Sequence, residues 1–316
     1  MMQRKKLHSL AVFLTAVSTS FFIPLAVNAA SADPTTPLGP DCECSEESPH
    51  TYAGIDHPIR IRGGKHNIVL NAVNIPADNC KDADGTTTVP AIEISQSTVS
   101  PYSASDVTIE LQGANTLNSP DGHAGIQVTS GNTLKIIGDG TLNVTGGKGG
   151  AGIGNAGEND ASGEIIIETD PKGKITAQGG LAAAGIGGGQ GGGCGKITIN
   201  SGEVDATGGD GYEYKGAIIK GGAGIGTGGQ GKGGGEIVLA GGEIYVTGGK
   251  GKDIPQREGI DCTKLSSNGG SANLYSNSPI SEGTNIDYFN GIVWTTNEDG
   301  DKYALGQVYG NAVLNK

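Results

Sequence analysis

Aromatic residues are scarce in this 316-residue chain: Phe, Trp and Tyr make up 4% of it, with a single tryptophan. A globular core built on large rings is therefore not expected. Glycine is abundant instead, at 58 residues, and it lacks the strict every-third-residue period of collagen. This composition leaves either a low-complexity chain or a repeating fold with many tight turns.

Long apolar runs are lacking beyond the N-terminus. Three basic residues at positions 4–6 precede an apolar run over residues 10–26, and small residues follow at 27–29. This order predicts a secretory signal peptide over residues 1–29. An uncleaved membrane anchor is the alternative, but the run contains Pro24 and is short for a spanning helix. We expect a secreted protein, free or at the cell surface, with no membrane insertion after cleavage.

Positive charge is in short supply. Lys and Arg number 21 against 33 Asp and Glu, and loss of the three cations at positions 4–6 would change the net charge from −12 to −15. Nucleic acid and anionic membranes are not expected partners, because each phosphate contact needs a cation. The charge balance is compatible with divalent cations and with neutral or cation-bridged glycans. Acidity alone also keeps an exported protein dispersed.

Cysteine is infrequent, and an odd number of five leaves at least one thiol unpaired even where export permits disulfides. The positions are Cys42, Cys44, Cys80, Cys194 and Cys262. The first two are close enough to suggest a metal pair, but no second closely spaced Cys or His pair accompanies them. We favour one disulfide from this pair to Cys80, which would anchor the N-terminal segment of residues 30–51.

A repeat organises the middle of the chain. Each copy contains Ala-Gly-Ile, followed by two short alternating runs and by Gly-Gly, as in KITINSGEVDATGG. The tripeptide occurs at residues 124–126, 151–153, 184–186 and 223–225, at separations of 27, 33 and 39 residues. Recurrence at a spacing of a few tens of residues is typical of a solenoid.

Alternation places two apolar residues of each run on one face. For the first strands these are Leu134 and Ile136, Ile165 and Ile167, Ile197 and Ile199, Ile237 and Leu239. For the second strands they are Leu142 and Val144, Ile175 and Ala177, Val204 and Ala206, Ile244 and Val246. The Ala-Gly-Ile strand adds Ile126, Ile153, Ile186 and Ile225.

Three short strands per repeat predict an all-β fold, a right-handed single-stranded parallel β-helix whose coils turn at glycine-rich corners. We expect the β-helix over residues 52–276, with residues 52–61 as an N-terminal cap. Two rival interpretations of the glycines fail. Gly226, Gly228 and Gly231 fit the dinucleotide-binding pattern, but no helix follows. The calcium-binding nonapeptide repeat needs an Asp where Lys232-Gly233 stands.

The segments PAIEIS, VTIELQGANTL, AGIQV, GDGTLNVTGG and AGIG, taken in order, resemble the glycine-rich parallel β-helix proteins of bacterial surfaces, often labelled carbohydrate-binding domain proteins. The resemblance covers about residues 55–250 and depends on core and corner positions. It implies a β-helix that either binds acidic polysaccharides with calcium or forms a segment of a large adhesin. Residues 277–316 resemble the lead-in to a further series of strand repeats; alternatively, residues 305–314 form a final hairpin that covers a sheet edge.

Outward positions of the second strands supply a candidate metal site. Glu203 and Glu243 are expected one coil apart, with Asp205 beside them. Like charges at that spacing repel unless a cation lies between them, so these three residues are candidate calcium ligands. The alternative is a solvated acidic face relieved by Lys174.

Aromatic residues and one long insertion supply a candidate ligand site. Tyr212, Tyr214 and Tyr245 could stack on sugar rings. The insertion at residues 208–222 is the longest corner loop of the repeat and also carries Asp210 and Glu213. Because long loops on a rigid scaffold often bind ligands, we expect one here, although a surface loop without a partner is the alternative.

We favour a non-catalytic binding or adhesion module for an extracellular polysaccharide or cell-surface glycan, with calcium as a candidate cofactor. The first alternative is a structural spacer of a surface adhesin; an ice-binding face would need a regular Thr array that the mixed outward residues lack. The second alternative is a polysaccharide lyase or hydrolase, which needs a base or paired carboxylates. His123 near Asp121 comes closest to such a pair, and we expect it to cap a corner instead.

Overall fold

The computed structural model describes residues 50–98, 103–157, 160–232, 234–251, 256–278, 280–281, 284–288, 291–296 and 302–307. The predicted signal peptide and nearly all of the predicted segment 30–51 lie outside these residues. The described part is all-β, with one 3-10 turn at Ala77–Asn79. Strands are numbered below in chain order and grouped into three sheets, called I, II and III.

Sheet I collects the first strand of each repeat, and all of its neighbouring strands are parallel. Its order is β1 (His50–Ala53), β3 (Gly64–Asn71), β6 (Ser105–Gln112), β9 (Thr133–Gly138), β12 (Glu164–Glu168), β15 (Ile197–Ser201), β20 (Glu236–Leu239), β23 (Lys264–Ser266) and β25 (Asn285–Tyr288).

Sheet II collects the second strands. Its order is β4 (Asn74–Ile75), β7 (Ala114–Asn118), β10 (Thr141–Thr145), β13 (Lys174–Gln178), β16 (Glu203–Thr207), β21 (Glu243–Thr247), β24 (Ala272–Ser276), β26 (Gly291–Thr296) and β27 (Lys302–Gln307). Its strands are parallel from β4 to β26. The last pair, β26 and β27, is antiparallel, within the segment for which a hairpin or a further repeat was expected.

Sheet III contains the Ala-Gly-Ile strands. Its order is β2 (Ile59–Arg62), β5 (Ile92–Ser95), β8 (Ile126–Val128), β11 (Ile153–Gly154), β14 (Ile186–Gly187), β19 (Ile225–Gly226) and β22 (Ile260–Asp261). All neighbours are parallel. Residues 52–61, expected as a cap, include parts of β1 and β2, which are the edge strands of sheets I and III.

The strands pair in the register that the alternation predicts. Ile153 lies opposite Ile126 and Ile186 in sheet III, and Ile197 lies opposite Ile165 and Ile237 in sheet I. The inward residues are almost completely buried, and those of all three sheets belong to one hydrophobic cluster. This arrangement of long parallel sheets is compatible with a parallel β-helix or solenoid.

Corner glycines are required because backbone of the next repeat occupies the space of a side chain. In three successive repeats the turn after Ala-Gly-Ile is closed by the same backbone hydrogen bond, for example from Ala184 N to Gly188 O at 2.9 Å. Gly187 has φ of +131° there, and a Cβ on it would lie 2.1 Å from the carbonyl oxygen of Gly226. A side chain at that position is excluded both by conformation and by contact.

The outer face of sheet I neutralises its own charges. Lys196 Nζ lies 3.5 Å from Glu164 Oε1 on the preceding repeat, and Lys264 Nζ lies 3.1 Å from Glu236 Oε1. Lys135 and Glu168 form a third pair of this kind, at 2.9 Å, which lowers the pKa of the Glu168 carboxyl. Charges of alternating sign on stacked strands therefore bind the repeats to one another.

Three cysteines are described, and each has a free, buried thiol. Cys80 is fully buried and donates to Asn118 O at 3.4 Å. The predicted disulfide would join Cys42 or Cys44 to Cys80, whose side chain belongs to the hydrophobic core. The two partner cysteines themselves lie outside the described residues.

Candidate functional site

The acidic residues predicted as a cation site lie in register on the outer face of sheet II. Glu203 of β16 pairs with Glu243 of β21, and Asp205 pairs with Tyr245. All four side chains remain at least partly exposed. The alternation of the second strand thus placed these residues on one face correctly.

Each of the two glutamates has a partner within the protein. Lys174 Nζ, on the preceding strand, lies 2.6 Å from Glu203 Oε1, and this contact raises the pKa of the Lys174 ammonium. Tyr245 Oη donates to Glu243 Oε2 at 3.2 Å. Burial, followed by this hydrogen bond to Glu243, raises the pKa of Tyr245 to about 12.

In the part of the chain that the structure describes, no group of three His, Cys, Asp or Glu side chains is arranged for a metal ion. Burial, more than any other cause, raises the pKa of the Asp205 carboxyl, with Lys174 opposing the shift. Lys174 thus provides the counter-charge for which the sequence suggested calcium.

The insertion at residues 208–222 is a hairpin rather than an irregular loop. Strands β17 (Tyr212–Tyr214) and β18 (Ala217–Ile219) pair antiparallel, with Glu213 opposite Ile218. Tyr and Ile favour extended backbone, and Gly216 at φ +79° permits the tight turn between the two strands. The hairpin is separate from sheets I, II and III.

The two hairpin tyrosines differ in availability. Tyr212 Oη donates to Gln190 Oε1 at 2.9 Å, and Lys148 Nζ lies 4.3 Å from the centre of its ring. Tyr214 is 56% exposed, with Lys215 Nζ 5.1 Å from its ring centre. Because Tyr212 is engaged with the body of the protein, Tyr214 is the better placed of the two for a ligand.

Tyr245, the third predicted aromatic residue, stacks on Tyr275 of the next strand in sheet II. The ring centroids are 4.5 Å apart and the planes differ by 9°. One face of Tyr245 is thus covered by protein. The sequence analysis did not identify Tyr275, although it occupies the same position of its strand as Tyr245 does.

A groove of about 400 Å³ runs along the corner that follows sheet II, and we call it the corner groove. It is lined by Gln178, Gly179, Leu181, Thr207, Gly208, Gly209, Asp210, Thr247, Gly248, Lys250 and Gln256. The structure thus places Asp210, a predicted ligand residue, in a concave site with neighbours from three repeats.

The repeat itself builds the corner groove. One side consists of Gln178, Thr207 and Thr247, the last residues of β13, β16 and β21, which pair in register. The Gly-Gly pairs that follow are tightly stacked: a Cβ on Gly209 would lie 1.7 Å from the carbonyl oxygen of Gly180. A side chain there is excluded, and this keeps the bottom of the groove free of side chains.

The opposite side of the corner groove is formed by the residues that follow each Gly-Gly. These are Leu181, Asp210 and Lys250, all exposed. Lys250 N donates to Asp210 Oδ1 at 2.8 Å, which fixes the carboxylate at the rim. Leu181, 40% exposed, adds an apolar surface. The groove therefore combines hydroxyl, amide and apolar groups with one charge of each sign.

The sequence analysis missed Gln178, Thr207, Thr247 and Gln256. A signal for the first three was present, since each immediately precedes a Gly-Gly corner in successive repeats. A single Thr or Gln before a glycine pair does not indicate a binding site. These residues form a row only because their strands pair in register.

The candidate acid–base residues for an enzyme are engaged separately. Asp121 Oδ1 accepts from Lys148 N at 3.0 Å, whereas His123 Nε2 lies 3.2 Å from Thr88 Oγ1. Burial, above all, lowers the pKa of His123. Arg257 forms ion pairs at 2.8 Å with Glu258 and Asp261. These contacts are those of corner caps and local ion pairs.

Comparison with known protein families, with curated proteins and with solved structures gave no match for this chain. The described residues contain no helix that is long and apolar enough to cross a membrane.

Proposed function

We propose that this chain is an exported, non-catalytic polysaccharide-binding or adhesion module of a bacterial surface, built as a right-handed parallel β-helix. Three sheets support the β-helix, because their strand order follows the chain order and all neighbouring strands except β26 and β27 are parallel. A crossover between parallel strands is right-handed in nearly all known cases, which supports the handedness. The charged, apolar and small residues at the N-terminus support export.

The main support for a binding function is the corner groove. Sugars present hydroxyl groups around rings that also have apolar C–H faces. The groove offers Thr hydroxyls and Gln amides from Gln178, Thr207, Thr247 and Gln256, with the exposed side chain of Leu181 beside them. A few polar groups fixed on a concave, rigid surface are typical of a ligand site. Tyr214, on the hairpin, adds an exposed aromatic ring.

Calcium does not enter this proposal, because Lys174 already neutralises Glu203 and Tyr245 donates to Glu243. A structural spacer is the second candidate function. It is favoured by the ion pairs between repeats on the outer face of sheet I, such as Lys196 with Glu164, which stabilise the stack and leave little net charge for a partner.

The test is binding of the purified chain, without residues 1–29, to immobilised neutral and acidic polysaccharides, with calcium and with chelator. We expect retention that persists in chelator, without release of reducing ends or unsaturated products. Absence of binding by a chain with an intact far-UV circular dichroism spectrum would favour the spacer. Product release would establish an enzyme, and retention that needs calcium and is lost in Glu203→Gln/Glu243→Gln would restore the predicted metal site.

A further inference from the structure

We propose that the corner groove binds an uncharged, linear, hydroxyl-rich glycan that runs across the strands, so that successive sugars contact successive repeats. This inference rests on the proposed function and deepens it, since it assigns the site, the direction of the chain and the class of glycan.

The direction follows from the register of sheet II. Gln178, Thr207 and Thr247 occupy the same position on three adjacent strands, so they repeat at the interstrand spacing of about 4.8 Å. That spacing is close to the length of one pyranose unit in an extended glycan. A ligand that itself repeats at this interval can make an equivalent contact with each strand, whereas a compact ligand would use only one or two of them.

The two amide side chains of the groove are held in position by hydrogen bonds to neighbouring backbone. Gln178 Nε2 donates to Gly179 O at 3.1 Å, and Gln256 Nε2 donates to Gly248 O at 2.8 Å. Each amide has a second N–H and a carbonyl oxygen to offer a ligand. Because the side chains are already ordered, a ligand would lose less free energy in immobilising them.

The two threonine hydroxyls complement each other. Thr207 donates to the carboxylate of Asp205, so its oxygen is oriented to accept from a ligand. Thr247 Oγ1 accepts from Asn277 Nδ2 at 3.4 Å, so its O–H is available to donate. A sugar hydroxyl both donates and accepts, and it can satisfy either group.

The charges around the groove favour an uncharged chain. Its lining contains one anion, Asp210, and one cation, Lys250. The strands that supply the threonines also carry Glu203 and Glu243 on the same outer face, four residues before Thr207 and Thr247. A polyanion would be repelled by the carboxylates of Asp210 and Glu243 and by the net charge, which is −12 for the whole chain and −15 without the three cations at positions 4–6.

The experiment compares affinities for neutral β-linked gluco-, manno- and xylo-oligosaccharides, from disaccharide to octasaccharide, with those for oligogalacturonate of equal length. The variants are Thr207→Val and Thr247→Val, which remove a hydroxyl with little change of shape. Thr198→Val, on the outer face of sheet I, is the matched control. Circular dichroism and urea unfolding verify that each variant folds.

We expect affinity for a neutral series to rise with length until the groove is filled. We also expect each groove variant to lose about 3- to 10-fold in affinity, in line with one net hydrogen bond, while Thr198→Val binds like the native chain. Binding of neutral glycans that is unchanged in both groove variants, or that does not depend on length, would overturn the inference and leave the proposed function standing.

Binding of oligogalacturonate alone would likewise overturn the inference but not the proposed function. Failure of every polysaccharide would overturn both.

Discussion

The rings of Tyr245 and Tyr275 stack face to face on adjacent strands of sheet II, 4.5 Å apart and within 9° of parallel. Such a pair contributes about 0.5–1.5 kcal/mol beyond the area that it buries. We expect Tyr275→Leu to lower the free energy of unfolding by about 1 kcal/mol, and the double variant with Tyr245→Leu to be less destabilised than the sum of the single changes. Urea unfolding of the four chains measures this coupling; the exposed Tyr214→Leu is the control. Strict additivity would show that the stack contributes nothing.

The Gly-Gly corners predict a steep penalty for the smallest added side chain. A Cβ on Gly209 would lie 1.7 Å from the carbonyl oxygen of Gly180, and backbone cannot move away as a flexible side chain could. We expect Gly209→Ala to destabilise the fold by about 3 kcal/mol. Gly157→Ala is the matched control, because only one side-chain atom, at 4.0 Å, approaches that position; its effect should stay within about 0.5 kcal/mol. Equal effects in the two variants would contradict the close stacking of the corners.

Replacement of Asp205 by a neutral residue should stabilise the fold at neutral pH but not at acidic pH. Burial raises the pKa of its carboxyl in the folded state, so its contribution to stability is fully present below the unfolded pKa and is lost as pH rises through the folded pKa. Asp205→Asn, neutral at every pH, should therefore raise the urea midpoint at pH 7 and leave it unchanged at pH 3. Lys174→Met removes the cation that opposes the shift and should lower the midpoint at pH 7. A loss of stability in Asp205→Asn at pH 7 would show that the interactions of the carboxylate with Lys174 and Thr207 outweigh the cost of its burial.

The buried thiols predict slow chemical modification. Burial raises the pKa of Cys80 to about 12 and that of Cys194 to about 11, and it also raises the pKa of Cys262. Because the thiolate is the reactive form, the variant Cys42→Ser/Cys44→Ser should resist iodoacetamide at pH 8 until it is unfolded, when all three thiols react. Mass spectrometry of the labelled peptides measures this. Fast labelling of the folded variant would contradict the burial of these groups, whereas a disulfide to Cys80 in the native chain would show that its thiol is not free.

Cys194 also accepts a backbone hydrogen bond, and serine should be able to take its place in this contact. Its Sγ accepts from Gly235 N at 3.0 Å, and in the preceding repeat Ser162 Oγ accepts from Gly195 N at the same distance. We expect Cys194→Ala to cost about 1–3 kcal/mol, because the Gly235 amide loses its partner, and Cys194→Ser to cost less. Urea unfolding of the two variants decides this, and a serine variant as unstable as the alanine variant would show that the sulfur serves packing alone.

Much of the strand arrangement followed from local patterns. Ile126, Ile153, Ile186 and Ile225 were assigned to one stacked strand because Ala-Gly-Ile recurs, and alternation placed Glu203 beside Glu243 correctly. Both inferences need only the period of two along a strand and the recurrence of the repeat.

The remaining features depend on distances between repeats that a pattern does not contain. The sequence left two interpretations of the acidic residues open, a metal site and a face relieved by Lys174, because the choice depends on the separation of side-chain ends. The corner groove was missed because its walls come from Thr207, Thr247 and Leu181 in different repeats. The insertion at 208–222 was expected as a loop, since Tyr-Glu-Tyr and Ala-Ile-Ile are too short to predict strands by alternation.

The hairpin β17–β18 leaves the flanking repeats in undisturbed register: Ala206 still pairs with Val246 before it, and Ile225 with Ile186 after it. The length of the hairpin insertion therefore does not affect the pairing of the core strands on either side of it. Residues 212–219 could be exchanged for an unrelated peptide, which the rigid scaffold would then display at a defined position, so the protein is a natural framework for grafting epitopes or affinity loops.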